Sequence, residues 1–252
     1  MRWLGVALAA LAAISPSKAA AEPYALGYVG AAITNDKDLR TEVEVDGAPL
    51  VNGLARDLSF DTSVVFGAKA GYFFDRPLLG GNVGAELDVY HFRPNVDEQQ
   101  VRFTGLLAGV NGDTRTTLPA TNIEVTAVTL NLLYRFGLAT DAQYPRGRLQ
   151  PYVGAGAGAF IARLSTTTTP FDANKDISDT DVQPGFQTVA GMRWFLTRSV
   201  ALFAEYKFLQ TQSFSFKFKE AGSIGGFPVT ETARDRADLT SHLFYAGIGF
   251  HW

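Results

Sequence analysis

The most regular pattern in the chain is its final stretch, Leu239 to Trp252, which reads L-T-S-H-L-F-Y-A-G-I-G-F-H-W. Trp252, Phe250, Ile248, Ala246 and Phe244 alternate with His251, Gly249, Gly247, Tyr245 and Leu243. A period of two sends successive side chains to opposite faces of a strand, so this segment has one apolar and one mixed face. Similar two-faced segments run from Tyr24 to Thr34, Ser63 to Phe74, Asn82 to Phe92, Glu124 to Phe136, Pro151 to Ile161, Phe186 to Leu196 and Val200 to Phe208. The second carries Val64, Phe66, Ala68 and Ala70 on one face, and the fourth Val128, Leu130 and Leu132. The first and fifth are ambiguous, because Gly27, Gly30, Gly154, Gly156 and Gly158 suit either face.

The connections alternate in length. Asn35 to Leu58, Arg93 to Thr121, Leu164 to Gln183 and Gln210 to Asp238 are long and polar, and the second holds an Asn111-Gly112-Asp113 turn signal. Asp75-Arg76-Pro77-Leu78, Gly137 to Leu149 and Thr197-Arg198-Ser199 are short. Long and short connections in alternation, with an even strand count, predict an all-β fold. Its form is an eight-stranded antiparallel up-and-down transmembrane β-barrel, with short periplasmic turns and long extracellular loops. A soluble sandwich explains neither the alternation nor the apolar last residue.

The aromatics sort by depth. The inward-running strands end in Tyr72 and Phe74, Tyr134 and Phe136, Trp194, and Trp252, which predicts a girdle at the periplasmic interface. Phe92, Phe160, Tyr206 and Phe208 end strands at the other rim and are read as its counterpart.

Opposite the apolar columns lie Lys69, Glu86, Asp88, Asn131 and Arg135, with Gln187, Arg193, Glu205 and Lys207 on later strands. An eight-stranded barrel has room inside for side chains only, so these residues are expected to form an internal network of paired charges. If strands two and three pair symmetrically about Pro77-Leu78, Lys69 faces Glu86, with Asp88 and Arg135 extending the network.

At the other end, Arg2 precedes an apolar run from Trp3 to Ile14 and a small-residue segment closing on Ala19-Ala20-Ala21. This reads as a secretory signal peptide over 1–21, cleaved after Ala21, ahead of a barrel domain over 22–252. The apolar run is too short to cross a bilayer core of about 30 Å. With no cysteine, disulfides, thiolate metal sites and cysteine nucleophiles are excluded. The net charge of -3 gives no reason to expect a nucleic-acid partner.

Candidate chemistry is sparse. Ser241 and His242 are adjacent, so on a strand they point apart and form no nucleophile–base pair. No phosphate loop, hydrolase elbow or zinc-helix motif stands out, and catalytic residues stay unassigned. Asp172, Asp176, Asp179 and Asp181 match no calcium-loop spacing and read as a solvated acidic loop. Neither a metal nor a cofactor is expected.

The C-terminal strand, the P-Y-V-G-A-G-A-G-A-F run from Pro151 to Phe160 and the F-L-T-R-S-V-A-L-F-A-E-Y-K-F hairpin from Phe195 to Phe208 carry a resemblance. The chain resembles the small OmpA-like and opacity-protein-like outer-membrane β-barrels, often grouped as the porin family. The peptidoglycan-binding domain that follows the barrel in OmpA has no counterpart here. The resemblance implies the outer membrane of a Gram-negative bacterium, contact with outer-membrane lipids and lipopolysaccharide, and a monomer. It also implies that Phe244, Ile248, Phe250 and Trp252 form the signal read by the barrel-assembly machinery. The expected role is structural or surface-interacting, through the extracellular loops and toward an unidentified ligand. A lipid A-modifying enzyme of oxidase or deacylase type and a narrow pore are the alternatives.

Overall fold

The computed structural model describes residues 21–107, 110–166, 177–224 and 227–252. Apart from Ala21, the expected signal peptide lies outside the described residues, as do Asp172 and Asp176. The described chain contains fourteen strands. These are β1 (Ala21–Thr34), β2 (Lys37–Val45), β3 (Ala48–Leu58), β4 (Ser63–Leu78), β5 (Gly81–Phe92), β6 (Gln99–Leu107) and β7 (Val110–Leu118). There follow β8 (Asn122–Arg135), β9 (Leu149–Thr166), β10 (Ile177–Phe195), β11 (Val200–Thr211), β12 (Phe214–Ile224), β13 (Phe227–Ala237) and β14 (Thr240–His251).

Eight of them close a barrel in the order β1-β14-β11-β10-β9-β8-β5-β4, every pair antiparallel. Closure gives each backbone N–H and C=O a partner on both sides, the condition for a sheet to cross hydrocarbon. The outward columns remain uncovered. Leu130 is 68% exposed, Val64 65% and Val153 53%. Such a belt of large apolar groups is what acyl chains cover.

The remaining six strands form a second sheet, ordered β12-β13-β2-β3-β6-β7. The segments read as long loops are therefore three hairpins joined edge to edge, above a β9–β10 hairpin that extends beyond the belt. Asp46 and Gly47 both take positive φ (49° and 81°) between Val45 and Ala48, which pair. That is a two-residue hairpin turn of the kind Asp-Gly favours. Asn111-Gly112-Asp113, read as a turn, lies inside β7.

Two further expectations are corrected. The turn after β4 is at Leu79-Gly80, both at positive φ, and Asp75 to Leu78 continue the strand. Centring the turn there shifts the β4–β5 register, and a bulge between Phe73 and Pro77 takes back half of the shift. Lys69 consequently faces Asp88, and Glu86 faces Gly71. The register moves by an even number of residues, so every side chain keeps its face. The second correction concerns Phe92 and Phe160, which are completely buried in the barrel rather than set in the outer girdle. Phe66, beside His91, and Phe186, beside Phe208, point outward at that level.

Arginine in place of Leu130 should cost about 2–4 kcal/mol of folding stability, the range for a charge facing mid-bilayer lipid. Thr117→Arg, on the exposed edge strand β7, should be nearly neutral. Refolding into vesicles, read by the gel shift between boiled and unboiled protein, measures both.

Candidate functional site

The lumen is filled from end to end. At its centre Lys69 of β4 places its Nζ 2.7 Å from Glu205 of β11, 3.1 Å from Glu86 and 3.7 Å from Asp88 of β5. Lys207 pairs with Asp88, and Arg193 of β10 lies 3.5 Å from Glu86. Three cations thus meet three carboxylates, all with side chains out of reach of solvent. Buried charge is tolerable only when paired and hydrogen-bonded, and tyrosines supply the remaining bonds. Tyr24 donates to Glu86 at 2.9 Å, Tyr28 to Asp88 at 2.9 Å, and Tyr152 and Tyr245 both donate to Glu205. Arg193 leaves two nitrogens without hydrogen-bond acceptors, but its guanidinium lies 4.0 Å from the Tyr24 ring centre and 5.0 Å from that of Tyr152. Aromatic faces hold a cation that has too few acceptors.

An amide layer adjoins this cluster. Gln187 donates to Asn131 at 2.7 Å and to Thr129 at 2.9 Å, Asn131 donates to Glu86 at 3.0 Å, and Tyr90 donates to Gln187. Gly156 faces Asn131 across the β8–β9 pair, where a Cβ would fall 2.1 Å from the amide oxygen. Glycine in β9 is what admits this layer. Arg135 does not reach Asp88. It sits at the periplasmic end with Glu22, which also takes bonds from Arg146 and His251. Arg146 belongs to the connection between β8 and β9, which folds over that mouth and buries Tyr144 beside Phe195.

All nine polar residues singled out from the sequence face the lumen, in these two clusters. The tyrosines, Glu22 and His251 were not singled out, although Tyr245 and His251 fall on the polar column of the last strand. Tyr72, Phe74, Tyr134, Phe136, Trp194 and Trp252 point outward at the periplasmic end, as do Phe244, Ile248 and Phe250 along β14. Tyr206 and Phe208 flank His242 on the outer surface, with the Tyr206 hydroxyl 2.8 Å from Nδ1. Ser241 points inward to Thr34 at 2.8 Å, so the two neighbours do face apart.

Above the polar clusters, Phe92, Phe160, Leu209 and Leu243 form an apolar layer. Above that layer, the second sheet and the barrel rim line a half-open cavity of about 340 Å³. Its walls are Leu39 and Val43 of β2 and Phe214, Phe216 and Phe218 of β12, and its floor includes Ile123, Leu164 and Leu239. These strands turn their charges outward, where Arg236 lies 3.7 Å from Glu42 and Lys37 lies 2.7 Å from Asp238. The cavity face carries carboxylates as well. Glu231 is 5% exposed and stands opposite Glu220 across the β12–β13 pair, with Asp235 four residues further along the same face. No donor among the described residues reaches Glu231 Oε2 or Asp235 Oδ1. Burial, and then the Glu220 charge, push the Glu231 carboxyl above its ordinary range. Burial pushes Asp235 up too, against a bond from Thr41. Asp179 and Asp181 have a different task. They accept backbone N–H bonds from Lys217 and Ser215, fastening the free edge of β12 to β10.

Lys69→Met should cost about 3–5 kcal/mol, because it leaves excess carboxylate in the lumen. Replacing Lys69 and Glu205 together with methionine should cost much less. A double-mutant cycle on the refolded barrel measures the coupling, which should be well above the few tenths of a kcal/mol typical of unconnected sites.

Among the described residues no group of three histidines or carboxylates is placed to hold a metal. No curated protein matches the sequence. Solved structures similar to this chain include the outer membrane protein OprG from Pseudomonas aeruginosa, at 16% identity and a TM-score of 0.48, covering 93% of this chain and 97% of that one. The attachment invasion locus protein Ail of Yersinia pestis is 12% identical at a TM-score of 0.37, covering 93% and 99%. The outer membrane protease OmpT from Escherichia coli is 6% identical at 0.48, covering 92% and 97%. The family model of the outer membrane protein beta-barrel domain matches residues 5–251, and the chain belongs to that family.

Proposed function

We propose that this protein is a closed outer-membrane barrel that acts at the cell surface through the folded cap it carries. One observation supports this reading above the others: the vertical arrangement of the molecule. Charges are paired across the lumen, and a six-stranded sheet lines a mostly apolar cavity above them. A side chain that bridges strands across a narrow barrel blocks conduction as well as fixing register. A cavity of a few hundred Å³ with a few polar groups is the usual form of a small-molecule site. The expected partners are lipopolysaccharide around the outer aromatic rim, the barrel-assembly machinery during biogenesis, and a ligand at the cap. The protein acts as a monomer, after export and cleavage behind Ala21.

Reconstituted into planar bilayers, the protein should produce no discrete conductance steps. Stable channel openings would restore the pore reading. Lipid A from a strain lacking the protein should have the same mass spectrum as lipid A from the parent, and a lost or gained modification would restore the enzyme reading. N-terminal sequencing of the mature protein should start near Glu22.

A further inference from the structure

The cap cavity breaks the rule that the lumen obeys. In the lumen each carboxylate has a cation beside it, whereas Glu231 faces a mostly apolar space with an oxygen that no described donor reaches. Directly opposed like charges also weaken a strand pair, and Glu220 and Glu231 are directly opposed. A change of register would not help, because the other face of β13 already carries Arg234 and Arg236 for Glu42 on β2. An acid kept at such a position costs stability that nothing in the described chain returns.

From this we infer that the cap cavity binds a small amphiphilic cation, its apolar body among Phe214, Phe216, Leu39 and Leu164 and its ammonium against Glu231 and Asp235. The inference rests on the reading of the cap as a binding module and gives that module its ligand class. Charge complementarity selects the head group. A cation at this point gives Glu231 Oε2 and Asp235 Oδ1 the donors they lack, and relieves the repulsion from Glu220. The aromatic walls from β12 add faces on which a cation or an apolar chain can rest. An anionic amphiphile meets the same carboxylates as repulsion, and a neutral one offers at most a hydroxyl donor without the charge.

The test uses the full protein in vesicles with three matched probes: phenylbutylamine, phenylbutanol and phenylbutyrate. Equilibrium dialysis against protein-free vesicles corrects for partition into lipid. Near pH 7.5 the amine should bind about tenfold more tightly than the alcohol, the equivalent of one good charge-assisted contact, and the acid more weakly than both. Glu231→Gln combined with Asp235→Asn should reduce the amine to the level of the alcohol, about a tenfold loss that the alcohol, lacking the charge, should not share. The amine's advantage should also fade as the medium is acidified. The titratable groups facing the head group are Glu231 and Asp235 from β13 and Glu220 and Lys219 from β12, with the Thr41 hydroxyl on β2. Burial raises the first two, so they take up protons above the ordinary carboxylate range, and the site loses its charge there. The linked stability has the same sign. Empty, the cap should resist protease best below that range and less well as pH rises through the raised values, and the double variant should flatten this dependence. Equal binding of all three probes would overturn the cationic assignment and leave the cap reading standing. No binding of any probe to a protease-resistant cap would remove both.

Discussion

One ammonium group organises the barrel. Lys69 on β4 is within ion-pair distance of Glu86 and Asp88 on β5 and of Glu205 on β11. It joins neighbouring strands and also spans the lumen to a strand that is remote in the closed order. Away from water, a charge that loses its partner costs several kcal/mol, so a slip in any of these strands is penalised well beyond the loss of backbone bonds. Lys207 and Arg193 complete the balance with Asp88 and Glu86. The tyrosines fill the space that leucine or isoleucine fills in a soluble core, and they donate the hydrogen bonds that the carboxylates need. The barrel thus has a polar interior in which every carboxylate of the central cluster is paired with a cation.

The barrel was legible in the sequence because its face alternation is strict. Lipid on one side and a desolvated polar core on the other leave little choice at each position, and Val128, Leu130 and Leu132 against Asn131 and Arg135 show it plainly. The register of β4 on β5 was not legible, since it depends on a bulge whose presence Asp75-Arg76-Pro77 does not announce. Phe92 and Phe160 were misplaced for a related reason. Sequence position gives their depth in the membrane but not their face, and both lie inward as the lid of the polar clusters. The faces of β1 and β9 were hidden by glycine, which fits beside lipid or beneath a tyrosine equally well.

The cap carries two local signals of strand structure. Thr41 to Val51 alternates around Asp46-Gly47, and Phe214, Phe216 and Phe218 alternate with Ser215 and Lys217. Both are strands by the criterion that revealed the barrel. The barrel pattern, however, rests on a contrast between short turns and long connections. Long connections with polar composition satisfy that contrast whether they are irregular or folded, so the pattern could not separate the two cases. Edge-to-edge joining of the hairpins needs contacts between segments far apart in sequence, such as Asp235 opposite Thr41, and no local period encodes those.

The two tiers treat the same residue type in opposite ways, and that contrast separates fold from function. Glu205 in the lumen is bonded by Lys69, Tyr152 and Tyr245, and Asp88 by Lys207 and Tyr28. These acids belong to the architecture, and their partners leave them nothing to offer a ligand. Asp179 and Asp181 are also spent, on the backbone of β12. Glu231 and Asp235 retain oxygens that no described donor reaches, on the side of the sheet opposite its own arginines. A buried acid with an unmet oxygen is uncommon in a native fold and calls for an explanation, of which a functional role is one. The lumen pairs each of its carboxylates with a cation, whereas the cap holds two acids that each keep an oxygen no described donor reaches.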